Sequence, residues 1–157
     1  MRVPRKALCG SSKGDAAQGE ARLLADWRDE PAYVLLGDPG SGKTESLKAE
    51  AEALGLKPIA ASLIQEGLAP PLNAGATVFI DAVDEVKGSG NGPVMGSIAR
   101  YLRDNGKPRF RIACREVDWR MDADRELLEA VAPVGQVKEL HLSPLSDEDV
   151  WAILQSR

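Results

Sequence analysis

The sequence predicts an α/β domain of three layers, in which helices cover both faces of a mainly parallel sheet of five strands. Short apolar runs alternate with segments of helical periodicity along most of the 157 residues. Such an alternation requires crossover connections, which make neighbouring strands parallel and cover both faces of the sheet. A glycine-rich segment at 37–44 follows the first apolar run directly. We therefore expect a ligand at the carboxyl ends of the strands.

Five apolar runs are the predicted strands, and we number them in chain order. They lie at residues 32–36, 57–63, 77–81, 109–114 and 137–142. Between these runs, apolar side chains recur with the period of an amphipathic helix. The same period over residues 16–27 predicts a short helix ahead of the first strand. Core packing is the expected role of the three tryptophans, Trp27, Trp119 and Trp151.

The two ends of the chain differ in character from this core. Residues 1–15 are small, polar and glycine-rich without periodicity, which predicts a flexible N-terminal tail. Ser146 and Asp149 have the spacing of a capping box, which predicts that a last helix begins there. The expected organisation is a tail at 1–15, a core at 16–145 and the start of a further helical segment at 146–157.

Composition limits the partners and the location of the protein. The net charge of -4 and the pI of about 5.1 argue against strong non-specific binding of nucleic acid. Cys9 and Cys114 provide neither a disulfide framework nor a metal-binding spacing, which predicts a reducing, cytoplasmic location. We find no apolar segment long enough for a membrane span, so no membrane partner is expected.

Residues 37–44 read Gly-Asp-Pro-Gly-Ser-Gly-Lys-Thr, a complete phosphate-binding loop between a strand and a helix. Glycines let successive N–H groups face phosphate oxygens, and the helix N-terminus adds partial positive charge. Lys43 is expected to reach the β- and γ-phosphates, and the Thr44 hydroxyl to bind Mg²⁺. The predicted nucleotide-binding residues are Gly37, Asp38, Pro39, Gly40, Ser41, Gly42, Lys43, Thr44 and Glu45.

The third predicted strand ends in acidic residues and matches the Walker B pattern. Asp81 closes the strand and is expected to hold Mg²⁺ opposite Thr44. Hydrolysis also needs a carboxylate that orients and deprotonates the attacking water. Glu85 is the first candidate for this role and Asp84 the second. The alternative is that both are solvated charges that open a turn.

Arg115 follows the fourth predicted strand at its carboxyl end, where the ligand is expected. A guanidinium there can bind a terminal phosphate through two hydrogen bonds. The alternative is a surface ion pair with Glu116 or Asp118. Arg111 lies nearer the start of the same strand, and we expect it to face solvent or a partner.

These motifs together resemble the NACHT-type branch of the STAND NTPases, signal-transduction ATPases and GTPases related to the AAA+ group. The resemblance rests on the phosphate loop at 37–44, on Phe-Ile-Asp-Ala-Val-Asp-Glu at 79–85 and on Cys-Arg-x-x-x-Trp at 114–119, and it covers about residues 20–155. One departure is Ala82, because many such ATPases have a glutamate directly after the Walker B aspartate. The resemblance implies a P-loop NTPase fold with the strand order 5-1-4-3-2.

The resemblance also implies a function and a larger architecture. It implies an ATP-binding switch that hydrolyses ATP slowly with Mg²⁺ and serves defence or regulation in a prokaryote. Residues 146–157 would be the start of a helical lid. The rest of the lid, a winged-helix domain and a sensor region would follow, and activation would produce homo-oligomers. The implied catalytic residues are Lys43, Asp84, Glu85 and Arg115. A small-molecule or nucleoside kinase and a nucleotide-gated assembly module without significant turnover are the alternative functions.

Overall fold

A computed structural model describes residues 4–9, 22–38, 40–81 and 94–156, which form one sheet with helices on both faces. The strands in these ranges are β1 Lys6–Cys9, β2 Arg22–Leu23, β3 Ala32–Leu36, β4 Ile59–Ala60, β5 Thr77–Asp81, β6 Arg109–Cys114 and β7 Lys138–Leu142. The α-helices are α1 Lys43–Ala53, α2 Ala61–Gln65, α3 Val94–Asp104, α4 Met121–Glu129 and α5 Asp147–Gln155. Two short 3-10 turns lie at Leu24–Trp27 and Glu116–Asp118.

The sheet has the strand order β2-β1-β7-β3-β6-β5-β4. The five strands from β7 to β4 are parallel, and their order matches the predicted 5-1-4-3-2. The prediction of an α/β fold is therefore confirmed. The prediction of a sheet limited to five parallel strands is wrong, because β1 and β2 add an antiparallel edge beyond β7.

The two additional strands come from segments for which the sequence predicts other structures. Residues 6–9 fall in the predicted tail, yet they pair with residues 140–142 of β7 and bury Ala7 completely. Arg22–Leu23 falls in the predicted helix at 16–27, and among the described residues of that segment only Leu24–Trp27 turns helically. Strands of four and two residues are too short to show a period, and their partners are distant in sequence. Residues 1–3 and 10–21 of these two predicted segments lie outside the described ranges.

The second predicted strand is also shorter than expected. Only Ile59–Ala60 pairs with β5, and α2 begins at the next residue. The reason is burial: Ala61 and Ile64, three residues apart, turn toward the core as one face of a helix. A short apolar run does not by itself separate a strand from a buried helix.

Side chains alternate between the two faces of the sheet and build a core on each. One face carries Ala32, Val34 and Leu36 of β3, which pack with apolar residues of α2, α3 and α4. The other face carries Tyr33 and Leu35, which pack with the 3-10 turn Leu24–Trp27 and with β1 and β7. On this second face α1 packs against β5 and β6. The three predicted layers follow from this alternation.

The expectation that Arg111 faces solvent or a partner is also wrong, because its side chain is buried. The residue is 2% exposed, and its guanidinium carbon lies 4.7 Å from the centre of the Tyr33 ring. Its nitrogens donate to the carbonyls of Pro31 at 3.2 Å and Arg28 at 2.9 Å. Burial raises the pKa of Tyr33 and lowers the pKa of Arg111. A buried cation is tolerated here because carbonyls and an aromatic face replace its water.

The last helix confirms one prediction and corrects another. Ser146 and Asp149 form the expected capping box at the start of α5. Trp151 on the same helix was expected in the core, but it is 64% exposed. Trp27 and Trp119 are buried as predicted. Within the described ranges, no helix has the length and apolar character needed to cross a membrane.

Candidate functional site

The phosphate loop joins the end of β3 to the start of α1 and lies beside β6. Its first amide, that of Gly37, donates to the carbonyl of Cys114 at 3.3 Å. A turn follows, closed by a hydrogen bond of 3.0 Å from the Ser41 amide to the Asp38 carbonyl. The loop therefore stands at the carboxyl edge of the parallel strands, where the sequence predicts the ligand.

Two glycines allow the backbone of the loop to turn tightly. Gly40 and Gly42 have φ angles of +80° and +87°, in the left-handed region that a side chain disfavours. Gly42 is also the residue before α1 and has no side chain with which to cap the first helical turn. Uncapped N–H groups and the positive end of the helix dipole favour an anion at this point. The backbone is therefore suited to a phosphate group.

Side chains of the loop add to this environment. Lys43, the first residue of α1, is 8% exposed. The Ser41 hydroxyl oxygen is buried and has no hydrogen-bond partner in the described part of the protein. A buried polar atom without a partner is costly, so a bound phosphate would satisfy it. Asp38 and Glu45, the acidic members of the predicted set, are exposed.

Thr44 and Asp81 are 37 residues apart in sequence and meet at the site. The Thr44 hydroxyl donates to Asp81 Oδ1 at 3.4 Å. Among the described residues, no group of three or more His, Cys, Asp or Glu side chains could hold a metal ion. Mg²⁺ that arrives with a nucleotide needs only one or two protein oxygens, because phosphates and water complete its shell. One hydroxyl and one carboxylate therefore form a suitable donor set.

Arg115 lies directly after β6, next to the start of the phosphate loop. Its Nε donates to Asp118 Oδ2 at 2.7 Å, so one of the two ion pairs considered from the sequence is present. Glu116, the other candidate partner, is instead close to His141 Nδ1 at the end of β7. The guanidinium of Arg115 is thus at the ligand edge of the sheet, with a carboxylate as its partner.

The predicted site residues divide into two groups. Pro39, Asp84 and Glu85 lie outside the described ranges, so their roles rest on the sequence alone. The described residues meet at the carboxyl ends of β3, β5 and β6, and they are Gly37, Asp38, Gly40, Ser41, Gly42, Lys43, Thr44, Glu45, Asp81 and Arg115. Sequence motifs far apart in the chain are thereby joined at one edge of the sheet.

Arg5 belongs to this neighbourhood, although the sequence places it in the tail. Its Nη1 donates to the carbonyl of Ser41 in the phosphate loop at 2.7 Å. Its Nη2 donates to the carbonyl of Ser143, after β7, at 2.7 Å. The only sequence signal for this position is the short apolar run of residues 7–9, which is too brief to indicate a strand.

A cavity of about 600 Å³ opens beside the loop. Its walls are mostly apolar and come from β2, the 3-10 turn that follows it, α1 and α5, and they include Arg5, Leu23, Gly42, Glu45, Leu145 and Ile153. This volume is within the range of small-molecule sites. The contact with Gly42 and Glu45 makes the cavity continuous with the phosphate loop.

Comparisons with known proteins add no assignment to this geometry. No model of a known protein family matches the sequence, and no curated protein matches it significantly.

Proposed function

We propose that the protein is a Mg²⁺-dependent ATP-binding domain that hydrolyses ATP slowly and acts as a signalling switch of the NACHT-type STAND class. The observation that carries the proposal is the contact between Thr44 and Asp81. A phosphate loop alone is found in many protein classes. A strand-end carboxylate within 3.4 Å of the loop threonine supplies the second half of a Mg-nucleotide site.

The cavity beside the loop supports a nucleotide rather than a free phosphate. A nucleotide whose phosphates bind the loop would also need a site for its base near the loop. The cavity reaches the start of α1 at Glu45 and Ser46 and has apolar walls such as Leu23 and Ile153. Apolar walls suit the faces of a purine ring. The sequence contains no Asn-Lys-x-Asp motif for guanine, so we propose adenine as the base.

In the proposed reaction, side chains of the site bind the phosphates, hold Mg²⁺ and accept a proton. Lys43 binds the β- and γ-phosphates, and Thr44 and Asp81 would hold Mg²⁺, which would supply positive charge to the same groups. Glu85, or Asp84 in its place, accepts a proton from the water that attacks the γ-phosphorus. The bond to the bridging oxygen breaks, and ADP and inorganic phosphate leave.

Arg115 requires a change of partner to take part in this reaction. Its guanidinium is paired with Asp118, and a γ-phosphate carries more negative charge than a carboxylate. A γ-phosphate can therefore compete for Arg115, whereas ADP lacks that group. A residue that changes partner with the γ-phosphate gives the two nucleotide states different structures, as a switch requires. The proposed cytoplasmic location and homo-oligomerisation rest on the sequence arguments alone.

The first test is a thermal-shift comparison of ATP, ADP and GTP, each with Mg²⁺. A ligand at about 100 times its Kd stabilises the folded state by about 2.7 kcal/mol. For a chain of this size that corresponds to a rise in Tm of about 5–10 °C. Lys43→Ala is expected to remove the rise. Lys48→Ala is the matched control, because Lys48 is exposed on the same helix.

Phosphate release then separates the proposal from its two alternatives. The switch ATPase releases phosphate from ATP without an acceptor, and Glu85→Ala keeps the ATP-induced rise in Tm but loses this release. A small-molecule or nucleoside kinase would need a hydroxyl acceptor for turnover. A nucleotide-gated assembly module would bind ATP and release no phosphate. Absence of a thermal shift with all three nucleotides would refute nucleotide binding itself.

A further inference from the structure

We propose that Arg5 is a positioning residue that holds the phosphate loop in its binding conformation and ties it to the connection between β7 and α5. The inference rests on the proposed function, because the loop needs a fixed shape only if it binds phosphate. It concerns a residue outside every motif of the site. Four observations carry it, namely two side-chain contacts, the anchoring of the Arg5 backbone and the space at Gly42.

The guanidinium of Arg5 bridges two separate parts of the chain. Nη1 and Nη2 donate to the carbonyls of Ser41 and Ser143, both at 2.7 Å. These acceptors are 36 and 138 residues away in sequence. Charge-assisted hydrogen bonds of this length are among the stronger polar contacts in proteins. The planar guanidinium can make both at once, which a lysine ammonium on a flexible stem does poorly.

The backbone around Arg5 is fixed as well. The Arg5 carbonyl accepts a hydrogen bond of 2.8 Å from the Leu24 amide. The neighbouring carbonyl of Lys6 accepts one of 2.9 Å from the Ser143 amide. Arg5 therefore starts from an anchored position at the head of β1. An anchored arginine loses less freedom when it binds the loop, so more of the interaction energy remains to hold the loop.

The chemistry of a phosphate loop explains why a cation should bind its carbonyl. When successive N–H groups turn toward an anion, the carbonyls between them turn away and need other donors. Arg5 provides that donor for Ser41 and brings positive charge to the outer side of the loop. The Asp149 carboxylate, in the first turn of α5, attracts the same guanidinium and extends the connection to that helix.

Gly42 shows how closely Arg5 approaches. A Cβ atom at this position would lie 2.6 Å from Arg5 Nη1, so the guanidinium would have to move away from its present position. The missing side chain therefore serves two purposes, since it allows the left-handed φ angle and leaves room for the guanidinium. The arginine and the glycine therefore depend on each other, because the absence of a Cβ atom at Gly42 lets the guanidinium reach the Ser41 carbonyl.

The test compares Arg5→Gln and Arg5→Lys with the wild type by amide hydrogen exchange and calorimetric titration of Mg-ATP. In Arg5→Gln, amides of residues 40–45 should exchange about tenfold faster and ATP should bind about tenfold more weakly, the loss of one charge-assisted hydrogen bond. Arg5→Lys should restore part of both losses. Arg103→Gln is the control, because Arg103 is 63% exposed on α3 and its ion pair with its neighbour Asp104 is long, at 3.8 Å.

Amides of β6 serve as the internal reference for folding and should keep their wild-type exchange in every variant. Wild-type exchange at residues 40–45 together with wild-type affinity in Arg5→Gln would overturn the inference. Loss of affinity without faster exchange at the loop would overturn it too, because the role would then be direct contact with ligand. If the wild type binds no nucleotide, the proposed function fails, while loop exchange, which needs no ligand, still decides the role of Arg5.

Discussion

Replacement of Gly42 by alanine tests the geometry of the phosphate loop without removing any functional side chain. Two separate costs arise at this position. The φ angle of +87° lies in the left-handed region, which costs a residue with a Cβ atom about 1–2 kcal/mol. The new Cβ atom would also lie 2.6 Å from Arg5 Nη1. Relief of that contact to a normal carbon–nitrogen distance moves the guanidinium by roughly 1 Å.

The guanidinium is the end of a flexible side chain, and a movement of that size away from Gly42 would lengthen its 2.7 Å hydrogen bond to the Ser41 carbonyl beyond the normal range. Hydrogen bonds to charged groups contribute about 1.5–3 kcal/mol, and we take the lower limit because Arg5 is only partly buried. Gly42→Ala should therefore lower the free energy of unfolding by about 3 kcal/mol, of which about half comes from the lost contact. Urea denaturation followed by circular dichroism measures this difference.

Gly75→Ala is the matched control for the backbone cost. Gly75 has a φ angle of +78°, and no described atom lies within 4 Å of its added Cβ. It should lose only the strain of about 1–2 kcal/mol. The difference between the two variants isolates the contact with Arg5. Equal losses in both variants would refute the argument that Gly42 is required by the approach of Arg5.

Three further predictions concern the stability of the fold. Arg111→Met should lower the free energy of unfolding by about 2–3 kcal/mol, because buried carbonyls lose their donor. The exposed control Arg109→Met should change it by less than about 0.5 kcal/mol. Equal effects of the two variants in urea denaturation would contradict this prediction. Burial raises the pKa of Tyr33, so its contribution to stability is complete below pH about 10 and declines at higher pH. Tyr33→Phe should therefore reduce the fall in Tm between pH 9.5 and about 11.5, and an unchanged fall would count against the assignment. Ser146→Ala should lower the local opening free energy of α5 by about 1 kcal/mol, measured by hydrogen exchange, and unchanged exchange would argue against the cap. Hydrogen bonds from Ser146 lower the pKa of Asp149, so its contribution is present above pH about 3.9 and is lost as the pH falls below that value.

Prediction from the sequence succeeds where the relevant residues are contiguous or periodic. The loop at 37–44 is a continuous motif, so the curl at Gly40 and Gly42 agrees with expectation. The five parallel strands lie on apolar runs of the sequence, whereas their order was implied by the resemblance. The capping box at Ser146 depends on two residues within one helical turn. In each case local chemistry is sufficient to specify the local structure.

Prediction fails where a short segment takes its structure from a distant partner. Lys6–Cys9 has no period of its own and becomes a strand because β7 offers an open edge. Arg111 carries a charge, yet neighbouring carbonyls and the Tyr33 ring make its burial possible. Trp151 is apolar, yet no described element covers it sufficiently, and it stays 64% exposed. Residue type alone does not determine burial in these cases.

The sequence by itself predicted the chemical class of the proposed site, because a phosphate loop needs its glycines, lysine and threonine in one continuous segment. It also determined the α/β class, because alternating strands and helices permit few other arrangements. Only the tertiary structure decided that the Thr44 hydroxyl lies 3.4 Å from Asp81 Oδ1 and that Arg5 donates a hydrogen bond to the Ser41 carbonyl of the loop. The physical reason is that both contacts join residues at least 36 positions apart, whose distance depends on how the strands pair and not on local preference.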